Sequence, residues 1–244
     1  MTFRLTDRGV RAVLLDIEGT TTPLAFVYDV LFPFARTHLR EYLHGHGGSG
    51  EVQAALEKLH DEWRADAAAR QDPPDWPEDS PLSAVAYLEW LMDRDLKSPA
   101  LKLLQGYIWE GGYRSGELKG MVFPDVRPAF ERWRAVPVDI AIYSSGSVLA
   151  QRLLFGATPD GDLTPFLAGF FDTGAGAKTS PNSYRRIAGS LGRAPGEILF
   201  VSDVPAELNA ARTAGCQVLL AERPGNRAVH ATEVETIRSF DAIE

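Results

Sequence analysis

The chain has 244 residues, 45% of them hydrophobic and 24% charged, with a formal net charge of -8 and a pI near 5.2. That length suits one large domain or a core with a smaller companion. The acidic balance argues against nucleic acid or an anionic membrane surface as partner, the single cysteine excludes an internal disulfide, and no apolar run reaches membrane-span length.

The first predicted element is the stretch around which the others arrange themselves. Ala12-Val13-Leu14-Leu15 runs into Asp16-Ile17-Glu18-Gly19-Thr20-Thr21-Thr22. Four apolar residues in succession predict a strand buried on both faces, as in a parallel sheet, and Gly19 marks the turn that ends it. If the chain stays extended, Asp16 and Glu18 point the same way into one cleft, beyond the carboxyl end of the strand where open α/β sheets bind ligands. Two carboxylates held together repel unless a cation or a proton intervenes, and a hard cation such as Mg²⁺ is the natural partner.

Residues 24–120 then show no strand pattern. Residues 26–43 are helical in spacing, interrupted near Pro33, where a second helix opens. Residues 44–50, His-Gly-His-Gly-Gly-Ser-Gly, read as a flexible link. Val52, Ala55, Leu56, Leu59, Trp63 and Ala67 form one apolar stripe at helical spacing. Residues 71–79, rich in proline and acids, read as a loop. Ser80-Pro81 and Ser98-Pro99 each predict a helix N-cap followed by proline at the first helical position. Leu82, Val85, Leu88 and Leu91, then Leu101, Leu104 and Ile108, line the helices they open. Trp76, Trp90, Tyr107 and Trp109 are expected in the core of this helical insert.

Alternation of strand and helix returns after Met121. A helix is expected through Trp133, a strand over residues 138–143, Ser144-Ser145-Gly146-Ser147 at its end, and a helix over 148–154. Phe170-Phe171 is a short strand. Lys178 precedes Ser180-Pro181, which is expected to cap a helix running to Leu191. Residues 198–201 form a strand ending at Ser202-Asp203, residues 205–214 a helix, and Val218-Leu219-Leu220 a last strand, with Cys216 beside it as a small core residue. The expected fold is α/β, a doubly wound and mostly parallel sheet with an inserted all-helical domain. The boundaries are 1–23 with 121–244 for the core and 24–120 for the insert.

Four polar signals stand at strand ends or helix starts: Asp16 with Glu18, Ser144 with Ser145, Lys178, and Asp203. In a parallel sheet the strand C-termini share one edge, so these groups can converge. Their chemistry is coherent. Asp16 can accept a phosphoryl group as nucleophile, and Glu18 can shuttle the proton of the leaving alcohol and of the attacking water. Asp203, Asp16 and the main-chain oxygen of Glu18 can hold Mg²⁺. The Ser144 hydroxyl and the amides of Ser145 and Gly146 can cradle phosphate before a helix N-terminus. Lys178 supplies a point charge. Singly, Asp203 reads as readily as the cap of the helix at Pro205, Ser144-Ser145 as an ordinary N-cap, and Lys178 as a solvated lysine. The occurrence of all four in chain order favours the joint reading.

As a set, these motifs resemble the haloacid dehalogenase-like phosphohydrolases, over nearly the whole chain. The first motif of that family is a strand ending Asp-x-Asp-Gly-Thr, met here by Asp16-Ile17-Glu18-Gly19-Thr20. The second is met by Ser144, the third by Lys178, and the fourth by Asp203 with Glu207 beyond it. The glutamate at position 18, with Tyr143-Ser144-Ser145-Gly146-Ser147, Leu153-Leu154-Phe155-Gly156 and Arg223-Pro224-Gly225-Asn226, resembles the enolase-phosphatase branch of methionine salvage. Residues 174–178, Gly-Ala-Gly-Ala-Lys, are less typical and are expected to alter the lysine loop. The resemblance implies a cytoplasmic enzyme with one Mg²⁺ per chain and a helical cap. Its substrate would be 2,3-diketo-5-methylthiopentyl-1-phosphate, enolised and then dephosphorylated through an aspartyl-phosphate. A monomer is expected. A phosphatase of another small ester without enolase activity is the alternative. A dehalogenase would need neither metal nor second acid, and an inactive binding module would be expected to have lost Asp16 or Asp203.

Overall fold

The computed structural model describes residues 2–77, 80–227 and 233–244. It divides into two compact units, one formed by Met1–Val27 with Leu118–Glu244 and the other by Tyr28–Glu117. The division falls four residues beyond the expected first boundary and three before the second.

The larger unit holds a sheet whose described strands are β1 (Ala12–Leu15), β2 (Asp139–Tyr143), β3 (Gly169–Phe171), β4 (Ile198–Ser202), β5 (Gln217–Ala221) and β6 (Thr236–Ile237). Their order is β3-β2-β1-β4-β5-β6, and every pairing is parallel. The two-residue β6 is a correction to the reading of residues 218–220 as the last strand; a run that short has no period to detect. Ala12, Leu14, Ala141, Tyr143, Ile198 and Phe200 share one core with Tyr184 and Leu208. The alternate residues Val13, Leu15, Ile140, Ile142, Leu199 and Val201 are equally buried. Both faces are therefore covered, which is why these strands read as unbroken apolar runs. Among the described residues, the helices that follow the all-helical unit in the chain belong here: α6 (Val126–Arg134), α7 (Val148–Gly156), α8 (Pro181–Ser190) and α9 (Pro205–Ala214). The last ends at Gly215 in the left-handed conformation, a common helix stop. Cys216 is buried, as expected.

Strand order places the site. After β1 the chain fills β2 and β3 on one side, then crosses to β4 on the other. The crevice between the carboxyl ends of β1 and β4 is thus the topological switch point. Register sets the residues level there. Leu15 lies opposite Val201 on one side and Ile142 on the other, so Asp16, Ser202 and Tyr143 are the next residues out.

A short α1 (Leu24–Phe26) and a π-helical turn (Val27–Leu31) lead the chain into the second unit, which is all-helical among its described residues: α2 (Phe32–His46), α3 (Gly50–Ala68), α4 (Val85–Asp93) and α5 (Pro99–Ser115). Leu39, Leu43, Leu56, Leu59, Leu88, Leu104 and Ile108 form its core, with Trp90 buried and Trp76, Tyr107 and Trp109 packed against it, so the four aromatics are core residues. The predicted link at 44–50 is corrected. α2 continues through His46, and Ser49 accepts a hydrogen bond from the Val52 amide to open α3 at Gly50. The glycines there mark a three-residue turn. Ala67 is exposed and does not extend the apolar stripe. Ser98 accepts from the Leu101 amide at 2.9 Å, as its pattern predicts, and Ser80 accepts from Leu82 to open a 3₁₀ turn that precedes α4. Residues 71–77 are irregular; Glu78 and Asp79, the end of the predicted loop, lie outside the described residues. No helix of the described residues is long and apolar enough to cross a membrane.

Candidate active site

Asp16 is the first residue past β1, and its amide still donates to Val201 O at 3.0 Å, so the ladder carries it to the sheet edge. The chain bends at Ile17, whose carbonyl accepts from the amides of Thr20, Thr21 and Thr22 at 2.9–3.1 Å. Gly19, at φ +68°, makes this possible. The bend is a correction to the extended geometry from which Asp16 and Glu18 were expected to point together. Glu18 is half-buried within the turn and bridges to Thr22.

Asp16 is 4% exposed and its carboxylate is fully engaged. Oδ1 accepts from the Ile17 amide at 2.7 Å and lies 2.6 Å from Lys178 Nζ. Oδ2 lies 3.1 Å from Ser202 Oγ. Lys178 Nζ is also 2.6 Å from Glu207 Oε2, so one ammonium sits between two carboxylates. Ser202 was not expected in the site, and Glu207 was expected only beside Asp203 in the fourth motif, with no role of its own. Ser202 Oγ lies 3.0 Å from Glu207 and accepts from the Val204 amide at 3.1 Å. Glu207 lies in the first turn of α9, and its place beyond Asp203 in the fourth motif was its sequence signal.

The atypical loop before Lys178 is closely held. Three successive carbonyls each accept from a hydroxyl: Gly176 from Tyr143 at 2.9 Å, Ala177 from Ser183 at 2.8 Å, and Lys178 from Tyr184 at 2.7 Å. A Cβ on Gly176, at φ +122°, would stand 2.3 Å from Ser183 Oγ, so only glycine lets the loop approach that close. Ser180 starts α8 with extended backbone but makes no side-chain cap, contrary to the expectation from Ser180-Pro181.

Asp203 is not a helix cap. The residue before α9 is Val204, without a side-chain cap bond. The Asp203 carboxylate lies against Gly19, where an added Cβ would stand 2.3 Å from Oδ2. Burial first, then the charges of Asp16 and Glu207, push Asp203 up to about 7. Burial and Asp16 also raise Glu207, against the pull of Lys178. Burial alone would lower Lys178, but Asp16 and Glu207 outweigh it and hold the ammonium above its ordinary value.

Ser144 lies one residue beyond the position level with Asp16, on the neighbouring strand. It does not cap α7. That role belongs to Ser147, which accepts from Ala150 at 3.2 Å. The Gly146 amide, expected to face a phosphate, donates to Ser144 Oγ at 3.1 Å, while Ser145 is exposed. Gln151 holds this loop, donating to Gly146 O and Phe171 O at 2.9 and 2.8 Å.

Three carboxylates, of Asp16, Asp203 and Glu207, thus interact around one lysine. An all-oxygen donor set with this excess of negative charge fits a hard divalent cation. Among the described residues no three His, Cys, Asp or Glu side chains form a ready metal cage. Mg²⁺ does not need one, since it keeps several waters and takes one or two carboxylates. A pH test follows. A carboxyl with its pKa raised from 3.8 to about 7 on folding binds more protons folded than unfolded, so stability without metal falls as pH rises through that window. Mg²⁺ is expected to raise the melting midpoint at a pH near 7.5, with the gain vanishing near pH 5 and absent in Asp203→Asn. Melting curves indifferent to Mg²⁺ at the higher pH would count against the cation.

A family model described as haloacid dehalogenase-like hydrolase matches residues 10–215. Enolase-phosphatase E1 of Synechococcus elongatus is 53% identical over 235 residues, covering 96% of this chain and 98% of its own. That of Pseudomonas aeruginosa is 44% identical over 224 residues, covering 91% and 95%. That of Drosophila mojavensis is 42% identical over 248 residues, covering 98% and 97%. The solved structure of the UTR4 protein from Saccharomyces cerevisiae is similar with a TM-score of 0.77 at 34% identity, over 95% of this chain and 99% of that one.

Proposed function

The chain belongs to the haloacid dehalogenase-like hydrolases, and from that premise we propose that it acts as the enolase-phosphatase of methionine salvage, converting 2,3-diketo-5-methylthiopentyl-1-phosphate to the acireductone and phosphate. The observation that carries the reading is the Asp16 carboxylate at the switch point, 2.6 Å from a buried lysine, in a chain 53% identical to an Enolase-phosphatase E1 over nearly its full length.

The chemistry has two stages. In the first, a base removes a proton from the carbon bearing the phosphate ester and a solvent proton is delivered to the neighbouring carbonyl oxygen, giving the enol. Glu18 is assigned as that base because it is the acid nearest to Asp16 in the turn and is not committed to attack. In the second, an Asp16 oxygen bonds to phosphorus as the ester P–O bond breaks, and Glu18 protonates the departing oxygen. Water then attacks the aspartyl-phosphate, Glu18 takes its proton, and phosphate leaves. Lys178 holds Asp16 in place and offsets charge on the transferring group. Ser144, Ser145 and Gly146 are assigned to the phosphate, with the Gly146 amide turning from Ser144 to the ligand. One Mg²⁺ per chain, held by Asp16, Asp203 and the main-chain oxygen of Glu18, would neutralise the carboxylate and phosphoryl charges that must approach one another. The reading is completed by a helical unit acting as cap, a cytoplasmic location and a monomeric enzyme.

Proton NMR of the diketone phosphate in D₂O tests both stages together. Asp16→Asn is expected to exchange the protons on the phosphate-bearing carbon while releasing no phosphate, and Glu18→Gln to do neither. Equal exchange by both variants would remove Glu18 as base. Phosphate release by the native protein without an enol product would leave a simple phosphatase.

A further inference from the structure

The turn that carries Asp16 presents three successive carbonyls away from its own amides, and each is taken by a donor from elsewhere in the same unit. Gly19 O accepts from Asn226 Nδ2 at 2.8 Å. Thr20 O accepts from Arg223 Nε at 2.9 Å, and Thr21 O from the Phe123 amide at 2.9 Å. Two of the three donors belong to one tetrapeptide, Arg223-Pro224-Gly225-Asn226, just past β5. That tetrapeptide is itself a closed turn. The Asn226 amide donates to Arg223 O at 3.1 Å, and Gly225 sits at φ +86°, with proline and glycine where a type II turn requires them.

Arg223 is anchored well beyond what a surface arginine needs. Its guanidinium carbon lies 4.7 Å from the Phe123 ring centroid and 4.3 Å from that of Phe240. Nη1 pairs with Asp125 Oδ2 at 2.6 Å and donates to Arg238 O at 3.1 Å. Asp125 also accepts from the Phe240 amide and the Ser239 hydroxyl. The residue is 5% exposed. The fork therefore has a fixed orientation, with Nε left to aim at Thr20 O. A lysine keeps the charge but not the fork or the stacking plane.

Gly19 connects this anchor to the reacting groups. Its α-carbon is packed so closely on the Asp203 carboxylate that a Cβ would reach 2.3 Å from Oδ2 and 3.1 Å from Asn226 Nδ2. A small shift of the Gly19 peptide must move either Asp203 or the turn that begins at Asp16.

We propose that Arg223 and Asn226 are positioning residues for the proposed reaction, a clamp that fixes the Asp16–Thr22 turn from behind and so sets the placement of Asp16 relative to Asp203. The role rests on the enolase-phosphatase reading only for its kinetic consequence; the clamp on the turn is independent of it. A displacement of about 1 Å at a reacting group can cost on the order of 10²-fold in rate. Neither residue touches the carboxylate of Asp16, so substrate binding should change far less than turnover.

The test compares native protein with Asn226→Ala and Arg223→Lys. Turnover is expected to fall about 10- to 100-fold, with KM within roughly threefold for Asn226→Ala, and Asn226→Gln, which keeps the amide donor, recovering part of the loss. Hydrogen exchange followed by mass spectrometry supplies the second readout. Peptides covering residues 16–22 should exchange roughly five- to tenfold faster, the scale of one lost hydrogen bond, while those of β4 and α3 stay at native rates. Unchanged exchange in the turn, unchanged turnover, or faster exchange spread through the whole protein would each overturn the clamp. Arg223→Lys guards against a misleading Asn226 result, since it acts on the next carbonyl along. If the native protein released no phosphate from any ester, the functional reading would fall, and the exchange measurement alone would decide the clamp.

Discussion

Asp16→Asn is expected to lose turnover by at least about three decades while folding normally, as removal of a covalent nucleophile does. The substitution is nearly isosteric. An asparagine at this position still offers an oxygen to the Ile17 amide and to Lys178 Nζ, the two contacts that now meet at Oδ1 at 2.7 and 2.6 Å. Its amide nitrogen can face Ser202 Oγ, which has lone pairs to accept it. What disappears is the anionic oxygen able to bond to phosphorus. The melting midpoint should therefore stay within a few degrees of the native value, while acid-quenched protein should carry no phosphoryl group after exposure to substrate. Turnover retained within tenfold would overturn the covalent route through Asp16.

Lys178→Met should damage both stability and catalysis, for two reasons that separate experimentally. The side chain is 9% exposed and lies between Asp16 and Glu207, 2.6 Å from each. Removing one partner of a buried ion pair costs about 3–5 kcal/mol, because the remaining charge is left uncompensated. Here two carboxylates would be left facing each other. A marked fall in the melting midpoint is expected, smaller at low pH, where Glu207, already raised by burial and Asp16, takes up a proton. Catalysis should fall by at least about 10²-fold on every phosphate ester, since the lost charge acts on the phosphoryl group and not on the substrate tail. Adding Glu207→Gln to Lys178→Met should restore much of the stability by removing the facing charge, without restoring turnover. A double variant as unstable as the single one would show that the lysine contributes by packing instead.

Much of this architecture was readable before any coordinate. Ala12 to Leu15, Ile140 to Tyr143 and Ile198 to Val201 are apolar without a break because helices or chain cover both sheet faces, and a run of that kind in water has few alternatives to a buried parallel strand. Ser98-Pro99 announced a helix start because the missing proline amide and the serine oxygen both answer the unpaired amides of a first turn. Asp16, Lys178 and Asp203 were each recognisable as a charged residue next to a strand end or a helix start. The places where local reading failed are also local in cause. The glycines of residues 44–50 suggested a link, yet α2 and α3 bury enough on Leu43 and Val52 to carry helix almost through them.

The sequence by itself determined which groups stand at the ends of strands, because strand length and hydrophobic pattern are local properties. It could not determine which strand ends are neighbours. The order β3-β2-β1-β4-β5-β6 places Ser202 beside Asp16 across 186 residues of chain and brings Glu207 onto Lys178. Pairwise packing of the sheet decides that, not any signal within either segment. Nor could it show that Gly19 lies against Asp203, or that Arg223 and Asn226 reach back over 200 residues to hold Thr20 and Gly19. Those contacts exist because buried carbonyls must find donors, and only the assembled tertiary structure says which donors are near.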